Sequence, residues 1–244
     1  SAASFMETSL KPGLGWVAPR EAGRVPELRI TMTTTSTRPE TTEAAAKSVS
    51  PAAAITVLAL TAVLGLAALL GPNLAASDLG MAMSMGMTHY MELLAANQPW
   101  NLLLFMGAPV VLAETLAITE LVLLFQREAA PEWVRRTSRI AGLLAGPVMV
   151  AILLHLLLNA VVPLTMSGGW RGPADVIAVG FYLSGVIPLA GITLVELGVV
   201  ALGRRQAMKW HAIWIAVFLV VAHVAMIFGM LDPGVLGYVM AHQH

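Results

Sequence analysis

The sequence contains no cysteine, which excludes disulfide bonds, thiolate nucleophiles, cysteine-ligated zinc and iron–sulfur clusters. Charged residues are also scarce, at 11% of the chain, whereas soluble domains carry about a quarter. The formal net charge is zero, so no nucleic-acid partner is expected. The sequence also lacks a phosphate-binding glycine loop, an HExxH zinc motif and a nucleophile elbow. We therefore predict no catalytic residue, and an enzyme is the less favoured class.

Apolar residues dominate what remains. Hydrophobic residues make up 57% of the 244 positions, and the mean hydropathy is +0.78. They fall into five segments that approach or exceed the length of about 20 residues that a helix needs to cross a bilayer. These segments are 52–70, 100–125, 140–164, 176–202 and 210–231. The pattern predicts an all-α polytopic membrane protein in which the second to fifth helices, joined by short loops, form an antiparallel four-helix bundle.

The chain divides into regions of different composition. Residues 1–51 are rich in Thr, Ser, Glu and Pro and predict a disordered tail, either native or an upstream extension. Segment 52–70 is interpreted as a transmembrane helix or uncleaved signal anchor; a cleaved signal peptide is the alternative. Residues 71–99 then form a Met-rich loop, 100–231 the four-helix unit, and 232–244 a C-terminus containing histidines.

Basic residues indicate the orientation in the membrane. All but one of the 14 Lys and Arg residues lie in the tail or in the connections after the second and fourth segments, and Arg171 is the exception. The positive-inside rule therefore predicts a cytoplasmic N-terminus, an extracytoplasmic C-terminus and an extracytoplasmic loop at 71–99.

Three stretches of sequence carry a resemblance to a known family. They are THYMELL at 88–94 with NQPWN at 97–101, WRGPADV at 170–176, and AHVAMIFGM at 222–230. Together they resemble an uncharacterised family of small bacterial polytopic membrane proteins that are loosely labelled permeases. The resemblance covers roughly residues 87–233. It implies a protein of the bacterial inner membrane, and it implies no chemistry and no functional residue.

Two histidines lie inside apolar segments at similar depth. His155 is nine residues before Leu164 and His223 is eight before Leu231, which places both rings about 12–14 Å below the outer helix ends. The third and fifth helices would be diagonal in an antiparallel bundle, so we predict that both rings face one cavity. Asn159 shares the face of His155. The alternative is that each ring makes only an interhelical hydrogen bond.

Methionine and histidine also cluster on the predicted outer side. Thioether and imidazole groups suit Cu(I), and histidine pairs also accept Cu(II), Ni(II) or Zn(II). The predicted metal ligands are His155, His223, Met226, Met230, Met83, Met85, Met87 and His89. The alternative for the loop is an amphipathic segment with its methionines in lipid.

Acidic residues also lie within the apolar segments. Glu114 is near mid-membrane and is predicted, with Asn159, to form a proton or polar pathway beneath the histidines. Glu120 and Glu196 share a depth near the cytoplasmic side, where we expect arginines of the adjacent loops to neutralise them.

The function that we predict is permease-like handling or transport of a small cation, with copper as the first candidate and proton coupling as an addition. One alternative is an electron-transfer protein in which His155 and His223 bind a b-type haem. A second is a non-catalytic accessory subunit of a membrane complex. The expected partners are the lipid bilayer and either a second copy of the chain or a larger membrane complex.

Overall fold

Five long helices, in the computed structural model of the chain, account for most of the residues that the structure describes, namely 50–75, 86–126, 129–200 and 203–238. Each is long and apolar enough to cross a membrane. The helices are α1 (Pro51–Leu70), the short α2 (His89–Ala95), α3 (Trp100–Gln126), α4 (Glu132–Ser167), α5 (Gly172–Ser184), α6 (Val186–Leu197) and α7 (Arg204–Met230). Helices α5 and α6 together make the fourth span. The predicted all-α membrane fold with five spans is confirmed.

The last four spans form a ring of neighbours. Helix α3 packs beside α4 and α7, α4 beside α6, and α7 beside α5 and α6, whereas α1 packs on α4. We call the end where α3 and α6 finish and α4 and α7 begin the basic end. It carries Arg135, Arg136, Arg139, Arg205 and Lys209. The opposite end, where α2 lies, is called the far end.

The helices differ from the apolar segments mainly at the basic end. Helix α4 starts at Glu132 and α7 at Arg204, because a polar first turn continues each helix beyond its apolar part. Helix α6 stops at Leu197, five residues before the predicted limit. Gly198 ends it with φ +75°, a left-handed conformation that glycine adopts without steric cost.

Prolines change the helical geometry of two of the spans. The turns before Pro109 and Pro163 are π-helical, at Leu103–Gly107 and Leu157–Val161, because a proline lacks an amide hydrogen and clashes with the carbonyl four residues earlier. The carbonyl of Phe105 accepts a hydrogen bond from the Tyr182 hydroxyl. Pro109 therefore widens its own helix and frees an acceptor that a neighbouring helix uses.

Small residues let α4 and α6 pack closely. A Cβ added at Gly146 would lie 2.6 Å from Oγ1 of Thr193, and one at Gly142 would lie 2.8 Å from Cγ of Glu196. The Thr193 hydroxyl donates to the Gly142 carbonyl at 2.7 Å and accepts from the Gly146 amide at 2.9 Å. Glycine at these two positions therefore permits the close approach, whereas Gly180 faces open space and makes no such contact.

Candidate functional site

His155 is buried between α4 and the end of α1. Its Nδ1 lies 2.9 Å from the carbonyl oxygen of Ala68, so Nδ1 carries the proton and donates. Its Nε2 accepts from the amide of Leu74 at 3.3 Å, and its ring stacks on Phe105. Asn159 donates to the His155 carbonyl at 2.9 Å. Both ring nitrogens are therefore engaged in holding α1 and the segment after it.

His223 has different surroundings. Its side chain is exposed on α7, and Nδ1 donates to the Leu219 carbonyl of the same helix at 2.6 Å. Met226 and Met230 are exposed on the same helix, with 37% and 70% of their surface accessible. The structure thus encloses the ring of His155 and leaves that of His223 on the outer wall. The predicted ligands Met83 and Met85 lie outside the described residues.

His89 belongs to a polar cluster at the far end. Its backbone amide and its Nδ1 both donate to the carboxylate of Asp175, at 2.8 Å and 2.5 Å, and Asp175 is fully buried. Arg171 pairs with Glu92 and donates to the carbonyl oxygen of Met87 at 2.6 Å. These bonds attach α2 to the start of α5, and they use the predicted ligand His89 to do so.

Tyr90 completes the attachment of α2. Its ring packs 5.1 Å from that of Tyr182, and a Cβ added at Gly229 of α7 would lie 2.6 Å from Cδ1 of Tyr90. Burial raises the pKa of the Tyr90 phenol to about 12, because the charged phenolate would lose its hydration.

Glu114 lies on the outward face of α3. Its side chain is exposed, between the exposed Val111 and Ile118 on the same helix. An ionised carboxylate at the centre of a membrane helix costs about 2.5–3.5 kcal/mol on insertion scales. The predicted pathway from Glu114 to Asn159 remains a prediction.

A second polar cluster lies between α3, α4, α6 and α7, near the basic end. Oε1 of Glu120 accepts from the Ser138 hydroxyl at 2.9 Å and from Nδ1 of His211 at 3.1 Å. Nε2 of the same imidazole faces Oε1 of Glu196 at 3.7 Å. One ligand atom from each of the two glutamates and His211 can be chosen so that all three lie within 4.8 Å of one another.

The cluster is largely enclosed. His211 is 3% exposed, and the side chains of Glu120 and Glu196 are 14% and 11% exposed. His211 lies seven residues after the start of α7, about 10 Å along its axis. Nε2 of His211 is buried and has no hydrogen-bond partner among the described residues. The cluster therefore places two carboxylates and an imidazole with an unused nitrogen inside a membrane span.

The packing of α4 against α6 makes room for Glu196. The methylene Cγ of Glu196 occupies the space that a side chain at position 142 would fill. The position of Glu196 in the cluster therefore requires glycine at position 142. The depth shared by Glu120 and Glu196 points to this level of the bundle from the sequence alone. His211 was not among the predicted site residues, because it is only the second residue of the predicted segment 210–231, whereas Glu120 and Glu196 lie five and six residues inside their segments.

The comparisons with known proteins identify one family. Residues 85–244 match the model of a Family of unknown function (DUF6803), which is more than half of the chain. The chain belongs to this family. The matched region of this DUF6803 protein contains both polar clusters and begins after α1. No curated protein and no solved structure matches the chain.

Proposed function

We propose that this protein binds a small divalent cation inside the membrane, between His211 and Glu196, and handles that ion in a permease-like manner. The observation that carries the proposal is the 3.7 Å separation of His211 Nε2 from Glu196 Oε1. Taken with the positive-inside rule, the site would lie near the cytoplasmic face of the membrane, and the family resemblance suggests a bacterial inner membrane.

The protonation of His211 gives the physical reason. Carboxylate oxygens only accept, so the bond to Glu120 places a proton on Nδ1. In the neutral imidazole, Nε2 then has a lone pair directed toward another acceptor. Two such acceptors repel each other in a medium of low dielectric constant unless a positive charge lies between them.

The 3.7 Å distance between Nε2 of His211 and Oε1 of Glu196 favours a bound metal ion over a hydrogen bond between the two atoms. Charge-assisted N–H···O hydrogen bonds have lengths of about 2.7–2.9 Å. By contrast, Zn–N and Zn–O bonds of about 2.0–2.2 Å hold neighbouring ligand atoms roughly 3–4 Å apart. Glu120 then orients the imidazole through Nδ1, as carboxylates commonly do for metal-bound histidines.

The ligand types indicate the class of ion. Imidazole and carboxylate suit Zn²⁺ and similar divalent ions, whereas Cu(I) prefers sulfur ligands. The two carboxylates supply negative charge, and buried charges of this kind are commonly paired or coordinate metal ions. Copper, the first candidate from the sequence, becomes the second candidate here, and it is kept because His223, Met226 and Met230 share one exposed face of α7.

The test is metal binding by the purified full-length protein in detergent, titrated separately with Zn²⁺, Mn²⁺ and Cu(I) and measured by elemental analysis and calorimetry. His211→Gln and Glu196→Gln should abolish Zn²⁺ binding. Glu120→Gln should weaken it about 10- to 100-fold, as loss of an orienting carboxylate does. His223→Gln on α7 and Glu114→Gln on α3 are matched controls and should bind normally.

Other results would contradict the proposal. Zn²⁺ binding that survives His211→Gln, or Cu(I) binding that depends on His223, would transfer the function to another site. Absence of any bound metal, combined with a lower melting temperature for His211→Gln, would indicate an ion-pair cluster that only stabilises packing. Uptake of Zn²⁺ into proteoliposomes, measured with an enclosed fluorescent chelator, tests whether the bound ion crosses the membrane.

A further inference from the structure

A large groove lies between α3 and α7 on the side of the bundle that faces outward. Its volume is about 1240 Å³, and most of its lining is apolar. Along α7 the lining residues recur every three or four positions on one face of the helix, at Met208, Ala212, Ala216 and Leu219. The two alanines leave the floor open, since neither has a side chain long enough to fill it.

The groove has a charged end. Arg205 and Lys209 line it, are exposed, and lie four residues apart on one face of α7 at the basic end. Glu120 also lines the groove, but its carboxylate is held by Ser138 and His211 on the inner side. Two cations therefore line the basic end of the groove, and its apolar part continues from them along α7.

We infer that this groove binds one anionic phospholipid, with its phosphate between Arg205 and Lys209 and an acyl chain along the alanine floor. Basic pockets between helices on the cytoplasmic side are the recurring way in which membrane proteins select anionic head groups. The positive charge of the two side chains attracts a phosphodiester anion, and the apolar lining from Met208 to Leu219 extends about 16 Å along α7, which can accommodate a hydrocarbon chain. The inference is independent of the metal proposal, because neither basic residue belongs to the cation site.

The experiment is native mass spectrometry of the full-length protein released from nanodiscs of phosphatidylcholine containing one fifth phosphatidylglycerol. The wild type should retain one phosphatidylglycerol in preference to phosphatidylcholine. The double variant Arg205→Gln/Lys209→Gln should lose about thirtyfold of that preference, from two charges near the membrane surface. The matched control Arg136→Gln/Arg139→Gln removes two exposed charges at the same end outside the groove and should retain the lipid.

A second pair of variants tests the acyl-chain part of the groove. Ala216→Phe fills the floor and should release the lipid, whereas Val220→Phe, at an exposed position outside the lining, should not. Equal retention by the double variant and the wild type would overturn the inference, as would equal retention of the two lipids by the wild type. A dimer that buries the groove would overturn it as well. Zn²⁺ binding measured on the same samples should be unchanged, so failure here is distinguishable from failure of the metal site.

Discussion

Substituting Gly146 by alanine should destabilise the bundle, although alanine is the better helix former. Glycine in the middle of a helix costs about 1 kcal/mol relative to alanine, so the substitution begins with that gain. Against it, the new Cβ would lie 2.6 Å from Oγ1 and 3.0 Å from Cβ of Thr193, and 3.3 Å from the backbone Cα of Ala190. The Ala190 backbone atom cannot rotate away, so helices α4 and α6 must separate.

The expected magnitude follows from these opposing effects. Overpacking costs about 1–3 kcal/mol, and weakening the Thr193 hydrogen bonds adds about 0.6 kcal/mol, the average found in bilayers. The matched control is Gly180→Ala on α5, where a Cβ meets nothing within 4 Å and only the helix-propensity gain remains. We expect the two variants to differ by about 2–3 kcal/mol in the free energy of unfolding.

Titration of the detergent-solubilised protein with sodium dodecyl sulfate, followed by circular dichroism, measures this difference. Gly180→Ala should unfold at higher denaturant than the wild type, and Gly146→Ala at lower. Equal stability of the two alanine variants would refute the argument that close approach of α4 and α6 requires glycine here.

Three further predictions concern the two polar clusters. Gly142→Ala places a Cβ 2.8 Å from Cγ of Glu196, a flexible side chain, so it should weaken Zn²⁺ binding in calorimetry more than it lowers stability. Asp175→Asn replaces a fully buried acceptor of three hydrogen bonds and should raise hydrogen exchange in His89–Ala95 at least about tenfold, by mass spectrometry; unchanged exchange would show that α2 is held otherwise. Because the pKa of Tyr90 is raised from 10.0 to about 12, folding favours the protonated phenol, so its stabilising effect is complete below pH 10 and is lost toward pH 12. Unfolding free energy should therefore fall by about 1 kcal/mol between pH 9 and pH 11, and Tyr90→Phe should remove that part of the fall.

The membrane fold could be predicted from the sequence because hydropathy and loop length together determine it. The five spans and the neighbour relations of the last four follow from short connections between apolar segments. The predicted helix limits were less accurate where a helix begins with a polar turn before its apolar part, as at Glu132 and Arg204. Hydropathy does not register such turns, which are helical because the backbone hydrogen bonds continue.

The arrangement of the polar residues was harder to predict because depth does not determine direction. His155 and His223 were expected to meet because they lie at similar depth, yet one ring is enclosed under α1 and the other is exposed. Which face of a helix points inward depends on the rotation of that helix about its own axis. An almost uniformly apolar helix has no distinct apolar face from which this rotation could be predicted. Equal depth was informative for Glu120 and Glu196, since both also face the packed interior.

The two hydrogen bonds between His155 and the end of α1 have a practical consequence for any shortened version of this protein. A fragment restricted to the family-matched region, 85–244, would lack both Ala68 and Leu74. Its imidazole would then present an N–H and a lone pair to hydrocarbon, at a cost of about 1–3 kcal/mol for each unmet group. Such a fragment should be made with phenylalanine at position 155, which preserves the ring stacked on Phe105 and needs neither bond.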